Sequence, residues 1–155
     1  MIQFDLQVTA IPQPRPKARR IGPGIQIYTP NSGPIKLYKA AIAEAFKRVA
    51  GEDFGPLKGP LLLSVLFVFE RPYARMKEEA HIIKPDLDNL AKGVMDALNG
   101  IAWHDDSQIV SLTLGKDWAA THLGGKSGRK LESGVSYIFV EIKTKEEAVN
   151  TLTDS

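Results

Sequence analysis

Four aspartates and two lysines are concentrated in two short stretches, Lys84-Pro85-Asp86-Leu87-Asp88-Asn89-Leu90-Ala91-Lys92 and Trp103-His104-Asp105-Asp106-Ser107-Gln108. Carboxylates brought together repel: two unit charges ~4 Å apart cost about 4 kcal/mol at an effective dielectric near 20. A hard divalent cation offsets that repulsion, and Mg²⁺ is usually held by one or two carboxylates plus waters and substrate phosphate oxygens. Phosphodiester hydrolysis is the chemistry such a site would do. The ion would activate water, and Lys92 would bind the scissile phosphate or neutralise charge developing on it. Each residue also has an ordinary reading. Asp88 alone is what a helix N-cap requires, and Asp105 or Asp106 alone suits a turn or a cap. On spacing alone the metal site and the structural reading both stay open.

The elements that must position these groups follow from the neighbouring residues. Side chains two apart share a side only in extended chain. Pro85 disfavours helix at Lys84 and fixes its own φ, so the spacing predicts an extended approach on which Asp86 and Asp88 converge, with Asp88 as N-cap. Leu90, Val94, Ala97, Leu98 and Ile101 then recur at helical intervals and make one apolar stripe. Asp88, Lys92, Asp96 and Asn99 fall on the opposite face. Asn99-Gly100 supplies a stop, which predicts a helix from about Asn89 to Asn99 with Lys92 one turn above Asp88.

The run KPDLDNLAKGVMDALNGIAWHDDSQI resembles the signature of the RusA family of bacterial and phage Holliday-junction resolvases. The shared pattern is Asp-x-Asp-Asn-Leu, a helix carrying Asp-Ala-Leu, then Trp-x-Asp-Asp-x-Gln. Position by position, the resemblance implies that Asp86, Asp88 and Asp106 are catalytic, metal-binding carboxylates, that Lys92 is the catalytic lysine, and that Asp105 is a supporting ligand. It further implies Mg²⁺ as cofactor, with Mn²⁺ as a substitute, and a homodimer that cuts branched, four-way-junction DNA in recombination and repair. Weaker similarity reaches Pro14-x-Pro16-Lys17-x-Arg19 and Lys116. The expected fold is α+β: a single mixed sheet of about four or more strands with two main helices packed on it.

Composition sets the outer bounds. A chain of 155 residues with 43% hydrophobic content is long enough for one core, expected to span residues 1–143 with a polar tail over 144–155. With no cysteine, disulfides and thiolate metal sites are excluded. The opening MIQFDLQVTA lacks the form of a signal peptide, and no apolar run reaches the ~20 residues of a membrane helix, so a cytoplasmic location is expected. Net charge is only +2, yet residues 1–50 carry eight Lys/Arg against two Asp/Glu. That third of the chain is the expected grip on a polyanion.

Along the chain, Ile2, Phe4, Leu6 and Val8 alternate as in a half-exposed strand. The stretch 11–20 combines prolines with Arg15, Lys17, Arg19 and Arg20 and predicts an extended basic arm, with Lys17, Arg19 and Arg20 as DNA contacts. Gly22-Pro23-Gly24 predicts a hairpin turn. Tyr38, Ala41, Ile42, Ala45, Phe46 and Val49 predict a core-packing helix over 34–50. Leu61 to Phe69 is apolar on both faces, as a central strand requires. Arg71 and Arg75 follow in a polar loop and are further candidate phosphate contacts, as is Lys116 at the end of a strand beginning at Ile109 with Val110, Leu112 and Leu114 on one side. Residues 124–130 lack the first glycine of a P-loop and read as a flexible basic loop. Val135 to Ile142 predicts the last strand. His81, His104 and His122 lack ligand spacing, and none is assigned to metal. Two other readings stand beside the junction enzyme: a metal nuclease for flap or other branched DNA, and a non-catalytic DNA-binding module.

Overall fold

The computed structural model describes residues 1–28, 33–119 and 135–153. Its elements are β1 (Ile2–Leu6), β2 (Lys17–Ile21), β3 (Gly24–Tyr28), α1 (Gly33–Ala50), β4 (Leu61–Phe69), α2 (Leu87–Leu98), β5 (Ile109–Trp118), β6 (Tyr137–Thr144) and α3 (Lys145–Thr153). Four strands form a mixed sheet in the order β1-β6-β4-β5. β4 pairs parallel with β5 and antiparallel with β6, and β1 pairs antiparallel with β6. This is the expected α+β architecture, with α1 and α2 as the main helices.

The continuous apolar run of β4 is explained by its place between β6 and β5. Leu61, Leu63, Val65 and Phe67 are buried together with Ile138, Val140 and Ile142 of β6. α1 lays Ile35, Tyr38, Ile42, Ala45 and Phe46 on the same core, where Phe46 meets Phe4 and Phe54 edge-on. Val49, expected on that stripe, is exposed in the last turn of α1, while Ala50 beside it packs against the core. In β5 the register shifts between Leu61 and Leu62 of the neighbouring strand, so that Leu61 faces Ile109 and Leu62 faces Ser111. Val110 is the residue skipped. Val110 and Leu112 are both exposed and Leu114 is half-buried, so the first half of this edge strand is left uncovered.

Two segments differ from a single-sheet picture. Residues 17–20 of the basic arm do not run on as isolated extended chain: they form β2 and pair with β3 as a separate ribbon around the turn Gly22-Pro23. Past β6, Thr144 opens α3. Its backbone N–H and hydroxyl both donate to the Glu147 carboxylate, and its Oγ1 accepts from Glu147 N–H, a capping arrangement that satisfies the helix start. Lys145 N–H also donates to Pro60 O at 3.1 Å. No helix among the described residues is long and apolar enough to cross a membrane. The 124–130 loop and His122 lie outside the described residues.

His81 is buried between the rings of Phe69 and Trp118, with centroids 4.4 and 4.2 Å away. Burial holds its imidazole below the usual histidine range; the charges of Lys116 and Arg75 act the same way and Glu78 opposes them. The unfolded chain therefore takes up a proton near pH 6.5, where the folded chain resists it. Stability contributed by neutral His81 is complete above about pH 6.5 and is lost as pH falls towards the folded value. Thermal melts from pH 7.5 to 5 are expected to show a steeper fall in Tm for the native protein than for His81→Phe; parallel curves would refute this.

Candidate active site

α2 begins two residues earlier than the Asp88 cap predicted. Asp86 is the N-cap, with extended φ −76° and ψ 144°, Leu90 N–H donates to its carbonyl at 3.2 Å, and Asp88 lies in the first turn. The reason is packing. Leu87 rests against the core and continues the buried series Leu90, Ala91 and Val94 back by one turn, so burial overrides the preference of Asp88 for the cap. Asp86 and Asp88 therefore do not sit on one edge of an extended segment. Both stand at the positive end of the helix dipole, which favours carboxylates. The Asp86 side chain makes no capping hydrogen bond, although a capping Asp ordinarily does.

The other acidic pair is more committed. Asp105 caps the short 3-10 turn Asp106–Gln108: its Oδ1 accepts from Ser107 N–H at 2.8 Å, while the Gln108 Oε1 accepts from the N–H groups of His104 and Asp105. Bonds from Ser107 hold the Asp105 carboxyl below its usual range. Asp106 is half-buried, and its Oδ1 accepts from Trp103 Nε1–H at 2.8 Å. Trp103 is fully buried, and its carbonyl accepts from Gly100 N–H at 2.7 Å. Gly100 has φ +75°, the left-handed geometry that glycine accepts without penalty, so the expected Asn99-Gly100 stop is present.

Within one chain these two acidic groups stand apart. α2 has twelve residues, about 18 Å at 1.5 Å per residue. Asp106 follows a tight return at its C-terminal end, where Gln108 donates to Leu57 O and Gly59 O at 3.0 Å each. The start of α2 lies at the far end of β5, because Lys116 Nζ donates to Ile83 O and to Pro85 O, the latter at 2.9 Å. From Ile109 to Lys116 the strand covers about 23 Å at 3.3 Å per residue. Within a single chain, Asp86 and Asp88 are thus separated from Asp106, the third carboxylate that the resemblance implied: consecutive elements carry them to opposite ends of the helix. Consistently, no three His, Asp or Glu side chains among the described residues are gathered closely enough to hold an ion. The chemistry of the helix-start pair nevertheless fits an open Mg²⁺ site: hard oxygens, exposed, one of them free of capping duty, with the remaining positions left to water, phosphate or another carboxylate.

The candidate cations fall into different settings. Lys92 is exposed and its Nζ lies 3.2 Å from Asp96 Oδ1, while Lys39 of α1 binds the other oxygen of Asp96, also at 3.2 Å. It leans towards the helix C-terminus and away from Asp88. Lys17, Arg19 and Arg20 are exposed on the ribbon, where Arg19 bonds Gln26 at 2.9 Å and stacks over Tyr28. Arg71 donates to Met76 O at 3.3 Å and Arg75 pairs with Glu78. His104 is exposed.

Arg15 is the residue that spacing missed. The proline-rich arm crosses α2 where Gly93 leaves room for it, since a Cβ there would stand 3.3 Å from Ile11 O, and Gln13 N–H donates to Asn89 O at 3.1 Å. Arg15 is thereby laid over the helix start, with Nη2 3.8 Å from Asp88 Oδ2 and with Nε donating to Asn89 Oδ1 at 3.4 Å. The alternation of prolines and cations marked the arm as a whole but did not single out Arg15 within it.

The family model for endodeoxyribonuclease RusA matches residues 7–124. A 33-residue segment is 58% identical to the uncharacterized protein YqaN of Bacillus subtilis (strain 168); that match covers 21% of this chain and 23% of YqaN, less than a quarter of the relative's length. The matched family span takes in the Pro-rich arm, the Asp-x-Asp start of α2 and the Trp-x-Asp-Asp-x-Gln turn. The chain belongs to the endodeoxyribonuclease RusA family.

Proposed function

We propose that the protein is a Mg²⁺-dependent, structure-specific endodeoxyribonuclease that resolves four-way DNA junctions by paired phosphodiester hydrolysis, acting as a homodimer in recombination and repair. The observation that carries this reading is the Asp86 carboxylate. It is exposed and occupies an N-cap yet makes no capping bond, which supports a role in holding a ligand. Mg²⁺ bound by Asp86 and Asp88 would supply charge neutralisation and an activated water at the phosphate. Arg15, now over Asp88 and Asn89, offers a planar guanidinium suited to a phosphate oxygen pair. Lys92, which pairs with Asp96 on the exposed face of the same helix, would have to turn back towards Asp88 to give a second positive charge to the strand being cut.

The separation of the acidic groups along α2 favours a dimer. Two-fold pairing of copies relates each feature to its equivalent. If the α2 helices run antiparallel across the axis, Asp106 of one copy approaches Asp86 and Asp88 of the other, and two equal sites arise together. Paired nicks in opposed strands of a symmetric junction would follow. The exposed cations of the ribbon, Lys17, Arg19 and Arg20, would supply phosphate contacts that position the arms without reading bases.

The test uses matched synthetic substrates: a four-way junction, a flap and a linear duplex, each with Mg²⁺, Mn²⁺ or excess chelator. Cleavage of opposed junction strands with either ion, and none with chelator, is expected. Equal rates on all three substrates would remove the junction preference and leave a general branched-DNA nuclease. Binding without cleavage under every condition would leave a DNA-binding module.

A further inference from the structure

We infer that Lys116 is a positioning residue that clamps the peptide leading into Asp86. This deepens the nuclease reading above and rests on it for its functional meaning. The ammonium of Lys116 donates to the carbonyls of Ile83 and Pro85, and the side chain is half-buried. The Pro85 carbonyl shares its rigid peptide plane with the nitrogen and Cα of Asp86. Holding that oxygen therefore holds the plane from which the Asp86 side chain departs. Trp118, two residues further along β5 and so on the same side of the strand, donates its Nε1–H to Ala80 O at 3.1 Å. Two side chains of one strand thus fasten the 80–85 segment.

The anchor is firm. Lys116 is paired in register with Phe67 of the central strand β4, and Phe67 is fully buried. A charged donor to neutral carbonyls makes stronger bonds than a neutral one, and the segment it holds lies outside regular secondary structure, so little else among its own hydrogen bonds sets its path. Lys116 does not need to touch DNA or metal to matter: a displacement of about 1 Å at a reacting group costs on the order of 10²-fold in rate.

The proposal is tested with Lys116→Met and Lys116→Gln. Single-turnover junction cleavage at saturating protein is expected to fall about 10²-fold in Lys116→Met, with junction Kd and its salt dependence within twofold of native. Lys116→Gln, which keeps a neutral N–H donor, is expected to recover part of that loss; a role as a phosphate cation predicts no recovery. Hydrogen exchange gives a readout independent of cleavage: amides of residues 82–88 are expected to exchange faster in Lys116→Met, while those of β4 and β5 keep their protection. Weakened Kd and a shallower salt dependence with an unchanged saturated rate would overturn the clamp, as would unchanged exchange over 82–88. Should Lys116→Met fail to fold, Lys116→Gln carries the same comparison. If the native protein cuts no substrate, the nuclease reading fails by itself and the clamp is judged on exchange alone.

Discussion

Asp86→Asn is expected to lower junction cleavage at least 10²- to 10³-fold while leaving the fold and DNA affinity intact. That range is what removal of one well-placed electrostatic group ordinarily costs in kcat. The variant is informative because Asp86 already forgoes its local structural use. A lost N-cap bond destabilises by about 1 kcal/mol, but the Asp86 side chain makes no such bond, so Tm should hold. Removal of a negative charge beside the DNA should leave Kd unchanged or tighten it. The measurement is cleavage rate, Kd and Tm on the same preparation. A variant that cuts at the native rate would end the catalytic assignment, and a large fall in Tm with proportionate loss of activity would return Asp86 to the role of a cap.

Much of the scaffold was legible because it depends on local periodicity. The stripe Leu90, Val94, Ala97 and Leu98 is buried as its spacing required, and the β4 run lies at the sheet centre. What local pattern did not reveal was where the pieces meet. The start of α2 was displaced by Leu87, whose burial outweighed the propensity of Asp88 for a cap. The two acidic stretches are close in sequence, yet an intervening helix of twelve residues keeps them at opposite ends. Lys116 reads as a surface cation at a strand end; its carbonyl partners lie 33 and 31 positions away. Arg15 is one of several charges in the arm, and only the close crossing at Gly93 selects it for the helix start. In each case a non-local contact decided the role.

The same separation makes Asp106 the sharper test of how the site is assembled. Asp106→Asn keeps an amide oxygen able to accept from Trp103 Nε1–H, so its Tm should stay near native. Asp106→Ala leaves that buried donor unpaired, at a cost of about 1–3 kcal/mol and a fall in Tm of roughly 2–4 °C for each kcal/mol. Both variants are expected to lose cleavage by at least 10²-fold, which separates the carboxylate's charge from its structural bond. Mixing then locates its partners. If Asp106 serves the site of the second copy, a dimer joining Asp86→Asn to Asp106→Asn concentrates both defects in one site and leaves the other whole. Random exchange would place about half of the dimers in this class, and the mixture of two inactive proteins should regain nicking of a single junction strand. If each chain builds its own site, every site in the mixture carries a defect and no activity returns. Recovery of nicking therefore demands a site shared between copies, and its absence, with exchange of subunits verified by differently tagged chains, rejects one.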